Sequence, residues 1–60
     1  VTIDQARAAI GRRVIYRPGY AEAPPEYGVI TSVNTKYVFV RYGSAVQSAA
    51  TDPTDLELDS

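Results

Sequence analysis

The chain has 60 residues, 45% of them hydrophobic and 22% charged, with a net charge of −1 at pH 7. A chain this short buries only about 60% of the surface that its unfolded form exposes, so one core and one domain, spanning 1–60, are expected. Cysteine and histidine are both absent, which removes disulfides and the usual ligands of a structural zinc site; no metal and no other cofactor is expected.

The composition lies well away from that of disordered segments. No charged-then-apolar leader opens the chain, and no apolar run is long enough to span a bilayer, so a cytoplasmic location is expected. An opening Val1 fits the loss of a methionine or of a tag.

Thr2 and Gln5 have the spacing of a capping box, which predicts a helix start there. The helix is expected to run from Asp4 to Ile10, with Asp4 favourably placed in the first turn and Gly11 as a left-handed stop. Ile3, Ala6 and Ile10 then form one apolar stripe. This segment, 1–11, would dock on a barrel made by 12–58.

Arg12 to Arg17, β-branched and aromatic at its centre, reads as a strand that Pro18-Gly19 ends. Tyr20 to Glu26 contains Pro24-Pro25 and reads as a long, stiff loop. Tyr27 to Val33 is a second strand, in which Gly28 marks a bulge or a close backbone approach. Asn34-Thr35 is read as a tight turn, with Asn tolerating positive φ, leading into Lys36 to Tyr42 as the other arm of a hairpin. In that third strand Val38, Val40 and Tyr42 point one way and Tyr37, Phe39 and Arg41 the other. Both faces are apolar, so the second needs cover from the helix, the long loop or a partner. After Gly43-Ser44 come a fourth strand from Ala45 to Thr51, a turn or single 3₁₀ turn at Asp52-Pro53-Thr54-Asp55, and a closing strand from Leu56 to Leu58.

Charge is uneven along the chain. Arg7, Arg12, Arg13 and Arg17 lie in the first third, and Asp52, Asp55, Glu57 and Asp59 in the last. This is either a basic patch for an acidic partner or a sign that the terminal strands pair and neutralise each other; the net acidity favours the second.

The order of these elements resembles the SH3-like small β-barrel. Val14-Ile15-Tyr16-Arg17-Pro18-Gly19 followed by Tyr27-Gly28-Val29-Ile30-Thr31-Ser32-Val33 is similar to the first hairpin of Tudor and KOW-type barrels. Tyr37 to Tyr42 and Asp52 to Leu58 are similar to their third strand and closing 3₁₀-plus-strand. The whole chain also resembles small open reading frames of bacteriophages and prophages. The resemblance implies a mainly β fold: a five-stranded SH3-like barrel with a short N-terminal α-helix and a 3₁₀ turn before the last strand. It also implies a phage-encoded protein acting in the host cytoplasm. It is specific for fold and weak for function, because such barrels carry many unrelated binding activities.

Departures from the better-known members narrow the choice. There is no tryptophan, and the loop that would carry acidic and tyrosine residues is Ala21-Glu22-Ala23-Pro24-Pro25, so recognition of proline-rich peptides is not expected. A Tudor-like cation cage would draw on Tyr16, Tyr20, Tyr27, Tyr37 and Tyr42, although half-buried packing with solvated hydroxyls is the preferred role for them.

An enzyme is not expected. Histidine and cysteine are missing from the acid–base and nucleophile inventory. The carboxylates at Asp52, Asp55, Glu57 and Asp59 lack the glycine and distal glutamate of a calcium loop, and read as a solvated turn and a charged edge strand. No phosphate-binding loop is present.

The expected function is therefore a non-catalytic protein-binding or assembly module, self-association included, with Tyr20, Tyr27, Tyr37, Phe39 and Arg41 as contact residues. The alternative is a KOW- or Sm-like nucleic-acid-binding accessory protein. In that reading bases stack on Tyr20, Tyr27 or Tyr37, and Arg12, Arg13, Arg17, Lys36 and Arg41 neutralise phosphates. No membrane partner is expected.

Overall fold

The structure, a computed structural model, describes residues 1–19 and 24–59. Tyr20 and the centre of the long loop (Ala21, Glu22, Ala23) lie outside the described residues. The elements are α1 (Ile3–Ala8), β1 (Arg13–Tyr16), β2 (Glu26–Val33), β3 (Val38–Tyr42), β4 (Ala49–Thr51), a 3₁₀ turn (Pro53–Asp55) and β5 (Leu56–Leu58). The five strands form one antiparallel sheet in the order β4-β3-β2-β1-β5. The sheet is hydrogen-bonded as an open ribbon, with β4 and β5 at its edges.

The capping box forms as the spacing predicts. The Gln5 amide donates to Thr2 Oγ1 at 3.1 Å, and the Thr2 amide donates to Gln5 Oε1 at 2.9 Å, so two amides left unpaired at the helix start are satisfied. The helix ends earlier than expected, at Ala8. Gly11, with φ of 90°, turns the chain and donates its N–H to the Ile30 carbonyl at 2.8 Å. That left-handed conformation suits a residue without Cβ. The early exit shifts the buried stripe: Ala6 and Ala9 are in the core, Ile3 is partly buried, and Ile10 is 47% exposed.

Ile30 ties the helix segment to the sheet. Its N–H donates to the Arg12 carbonyl at 3.1 Å, extending the β1–β2 ladder by backbone bonds beyond Arg13. Across the sheet Ile30 pairs with Val40. It is fully buried among Ala6, Ala9, Val14, Val38, Val40 and Leu56. The helix lies on this core side, against β2.

The β2–β3 register shifts between Ile30 and Ser32, so the bulge lies at Thr31 and not at Gly28. An extra residue there leaves the ladder locally unpaired, and the Thr31 hydroxyl fills part of the gap by donating to the Phe39 carbonyl at 3.1 Å. Gly28 instead supplies the close approach. A Cβ at this position would lie 2.5 Å from Val40 Cγ1, 2.8 Å from the Arg41 carbonyl oxygen and 2.9 Å from Tyr42 Cδ1.

Two turns differ from expectation. Among the described residues no residue other than glycine has positive φ, so Asn34 does not adopt a left-handed backbone; its N–H donates to the Tyr37 carbonyl at 3.0 Å. Its Oδ1 accepts the amides of Lys36 at 2.8 Å and Tyr37 at 2.6 Å, a side-chain-closed turn. Tyr37 is thereby held in the turn, and β3 starts at Val38. The fourth strand is also shorter than predicted: residues 45–48 are loop, and only Ala49–Thr51 pair with β3. These small residues have little to bury, and Val46 is 92% exposed.

At the far edge, β5 pairs with β1 and brings the chain ends together. The Val1 nitrogen donates to the carbonyls of Pro53 at 2.9 Å and Leu56 at 2.8 Å. Among the described residues no helix is long and apolar enough to cross a membrane.

Gly28→Ala tests the close approach. The added methyl meets backbone as well as side chain, and overpacking of this kind costs about 1–3 kcal/mol, so the urea midpoint of the variant falls while its denaturant slope is kept.

Candidate functional site

Antiparallel pairing sets which side chains share a face, because directly opposed residues project on the same side of the sheet. On the side away from the core one row runs Arg41, Val29, Arg13, and the next runs Tyr27, Ile15, Glu57. A third row places Phe39 between Ser32 and Ala50. Ile15, Val29 and Phe39 are half-buried, and Tyr27 is 52% exposed. None of the four belongs to the core or to the residues packed on it.

A groove of about 210 Å³ runs across this face, lined by Arg13, Tyr27, Gly28, Val29, Arg41 and Gly43. Gly43, with open space where a Cβ would stand, leaves the backbone approachable, Val29 gives an apolar patch, and a guanidinium stands at each end of the Arg41-Val29-Arg13 row. With strands about 4.8 Å apart, the two arginine positions are separated by about 10 Å. Such a surface can accept an apolar or aromatic group beside an anionic one.

The predicted contact residues divide accordingly. Tyr27, Phe39 and Arg41 share this face. Tyr37, half-buried, sits in the β2–β3 turn with Lys36 Nζ 5.3 Å from its ring centroid, away from the groove lining. Tyr20 lies outside the described residues. Of the basic residues, Arg13 and Arg41 are brought to the groove, whereas Arg12, Arg17 and Lys36 are not among its lining.

Ion pairs explain much of the charge pattern. Arg13 meets Asp59 at 3.3 Å, Arg7 meets Asp4 at 3.1 Å, and Arg17 bonds Glu57. Glu57 in turn holds the Arg17 guanidinium still more firmly protonated. Pairing of the terminal strands thus neutralises Arg13 and Arg17, as the net acidity favours. Val29, Ile15 and Gly43 are residues of this face that sequence reasoning did not single out, and Gly28 was singled out only for its backbone. The alternation of Tyr27 and Val29 against Gly28 and Ile30 was the available signal.

A second concavity, of about 310 Å³, opens on the other side at the end of the sheet. It is lined by Tyr16, Glu26, Tyr42, Ala49, Ala50, Thr51, Asp52 and Asp55. Tyr16 and Tyr42 meet edge-to-face, with centroids 5.9 Å apart and planes at 61°. Tyr27 and Tyr37 are elsewhere, so among the described residues the tyrosines do not gather into a cage of three or four rings. Tyr42 hydrogen-bonds Thr51 Oγ1 at 2.8 Å through its hydroxyl. Burial holds its pKa above the ordinary tyrosine value, aided by the charges of Tyr16, Glu26 and Asp55 and opposed by the Thr51 bond. The Asp52 carboxylate accepts the Thr54 amide at 2.9 Å and hydroxyl at 2.8 Å, which lowers its pKa.

Comparison with known protein families, curated proteins and solved structures gives no match to this chain.

The two shifted groups give a pH dependence of opposite sign at the two ends of the scale. Tyr42, raised in the fold, contributes stability that is present below the unfolded value of 10.0 and is lost as pH rises through the folded value. Asp52, lowered in the fold, contributes stability that is present above the unfolded value of 3.8 and is lost as pH falls through the folded value. Urea midpoints across pH check both: Tyr42→Phe shows a shallower alkaline loss than the parent, and Asp52→Asn, which can still cap the 3₁₀ turn, a shallower acid loss.

Proposed function

We propose that the chain is a non-catalytic binding module, an SH3-like small barrel of phage type, that engages a protein partner through the outer face of its sheet. The first partner to test is a second copy of the chain. The observation that carries this reading is the position of α1. The helix packs on the core side, so it cannot be what covers Ile15, Tyr27, Val29 and Phe39. Apolar and aromatic side chains gathered on one sheet face, rimmed by arginine, have the composition of a protein-binding patch. The meander order of β1 to β4, the return of β5 to β1 and the 3₁₀ turn between β4 and β5 support the SH3-like reading.

Arg41 beside Tyr27 favours a second reading, a nucleic-acid accessory protein that stacks a base on Tyr27 and holds a phosphate with the Arg41 guanidinium, with Arg13 joining only by giving up its ion pair with Asp59.

Sedimentation velocity over a concentration series, with and without a labelled single-stranded oligonucleotide, separates these readings. The expected result is a concentration-dependent dimer, lost in the Tyr27→Ser/Phe39→Ser double variant and indifferent to oligonucleotide. A monomer that binds the oligonucleotide, and releases it between about 50 and about 200 mM salt, replaces the first reading with the second. A monomer that binds nothing overturns self-association.

A further inference from the structure

The described carboxylates fall into two groups. Asp4, Glu57 and Asp59 each meet an arginine. Glu26, Asp52 and Asp55 meet no basic side chain among the described residues, and all three line the same cleft of about 310 Å³ at the end of the sheet. No arginine or lysine is among that cleft's lining residues, and the rest of its wall is the edge-to-face pair Tyr16 and Tyr42 together with the short side chains of Ala49, Ala50 and Thr51. Negative charge is therefore concentrated where the surface is concave and part of the wall is aromatic. Such a combination of shape and potential focuses field lines into the cleft.

From this geometry we infer that the cleft is a docking site for an arginine side chain of a protein partner, distinct from the outer face of the sheet. The guanidinium is planar and weakly hydrated, carries donors in a rigid fork and stacks on aromatic rings, so it suits carboxylates set around tyrosine rings better than the compact, strongly hydrated ammonium of lysine does. Glu26 and Asp55 are the acceptors. Asp52 adds field, but its carboxylate already bonds Thr54. The Tyr42 hydroxyl is engaged by Thr51, which fixes its ring as a wall and leaves the carboxylates to take the ligand's donors.

The test is a titration of the 60-residue chain with tetra-arginine and tetra-lysine peptides, followed by amide chemical shifts at low salt. Tetra-arginine is expected to move the amides of Tyr42, Ala50, Thr51 and Asp55 in a saturable way, and to bind more tightly than tetra-lysine. Each exposed pair contributes modestly, so Glu26→Gln/Asp55→Asn weakens binding by about fivefold to tenfold. Both positions lie outside the core, and circular dichroism verifies that the variant is folded. Tyr27→Ser/Phe39→Ser, which alters the outer face, leaves the titration unchanged, so failure here is separable from failure of the outer-face reading. Three results would overturn the proposal: no shift at these amides, a response undiminished in Glu26→Gln/Asp55→Asn, or equal binding of the two peptides.

Discussion

Ile30 holds this small structure together. Its side chain is at the centre of the core, its carbonyl accepts from Gly11 at the helix exit, and its amide donates to Arg12 at the approach to β1. One residue thus joins helix, first strand and second strand through backbone bonds that a change of side chain cannot easily replace. The bulge at Thr31 follows directly on this anchor. Alanines at positions 6 and 9 let the helix backbone come close to the sheet; larger residues would hold it further away.

Placing the helix on the core side has a cost and a consequence. A domain of this size has little apolar surface to spare, and placing its only described helix on one face leaves the other to the long loop, to a partner or to solvent. The β1–β5 pairing then sets the charge on that open face. It lays Glu57 and Asp59 beside Arg17 and Arg13, and exposed pairs of this kind add little stability. Their effect is on distribution: Arg41 remains uncompensated at the outer groove, and among the described residues the carboxylates without an arginine partner lie at the cleft at the sheet end. The two concavities consequently differ in sign, although the chain as a whole is close to neutral.

Close packing and side-chain hydrogen bonding resolve several positions that local preference leaves open. Gly28 and Thr31 show this well. Either a bulge or a close approach was legible at Gly28 from residue type alone, and the structure assigns the approach to Gly28 and the bulge to Thr31, because Val40 and Tyr42 leave no room for a side chain at position 28. Asn34 is a similar case. The residue marks a turn in either conformation, and only the neighbouring amides of Lys36 and Tyr37 decide that its side chain closes it.

The sequence by itself determined the capping box at Thr2 and Gln5, the alternation of Val38, Val40 and Tyr42 against Phe39 and Arg41, and the bounds of β5, because each is written in local spacing. The net acidity favoured a pairing of arginine at one end with carboxylate at the other, and the β1–β5 register decided it. The tertiary structure alone decided that Ala9 and not Ile10 is buried, that 45–48 is loop, and which tyrosines meet. Each of those outcomes depends on contacts between segments far apart in the chain: Gly11 with Ile30, Phe39 with Ala50, Tyr16 with Tyr42. No local pattern encodes such distances, and the site residues on the outer face become neighbours only through the register of the sheet.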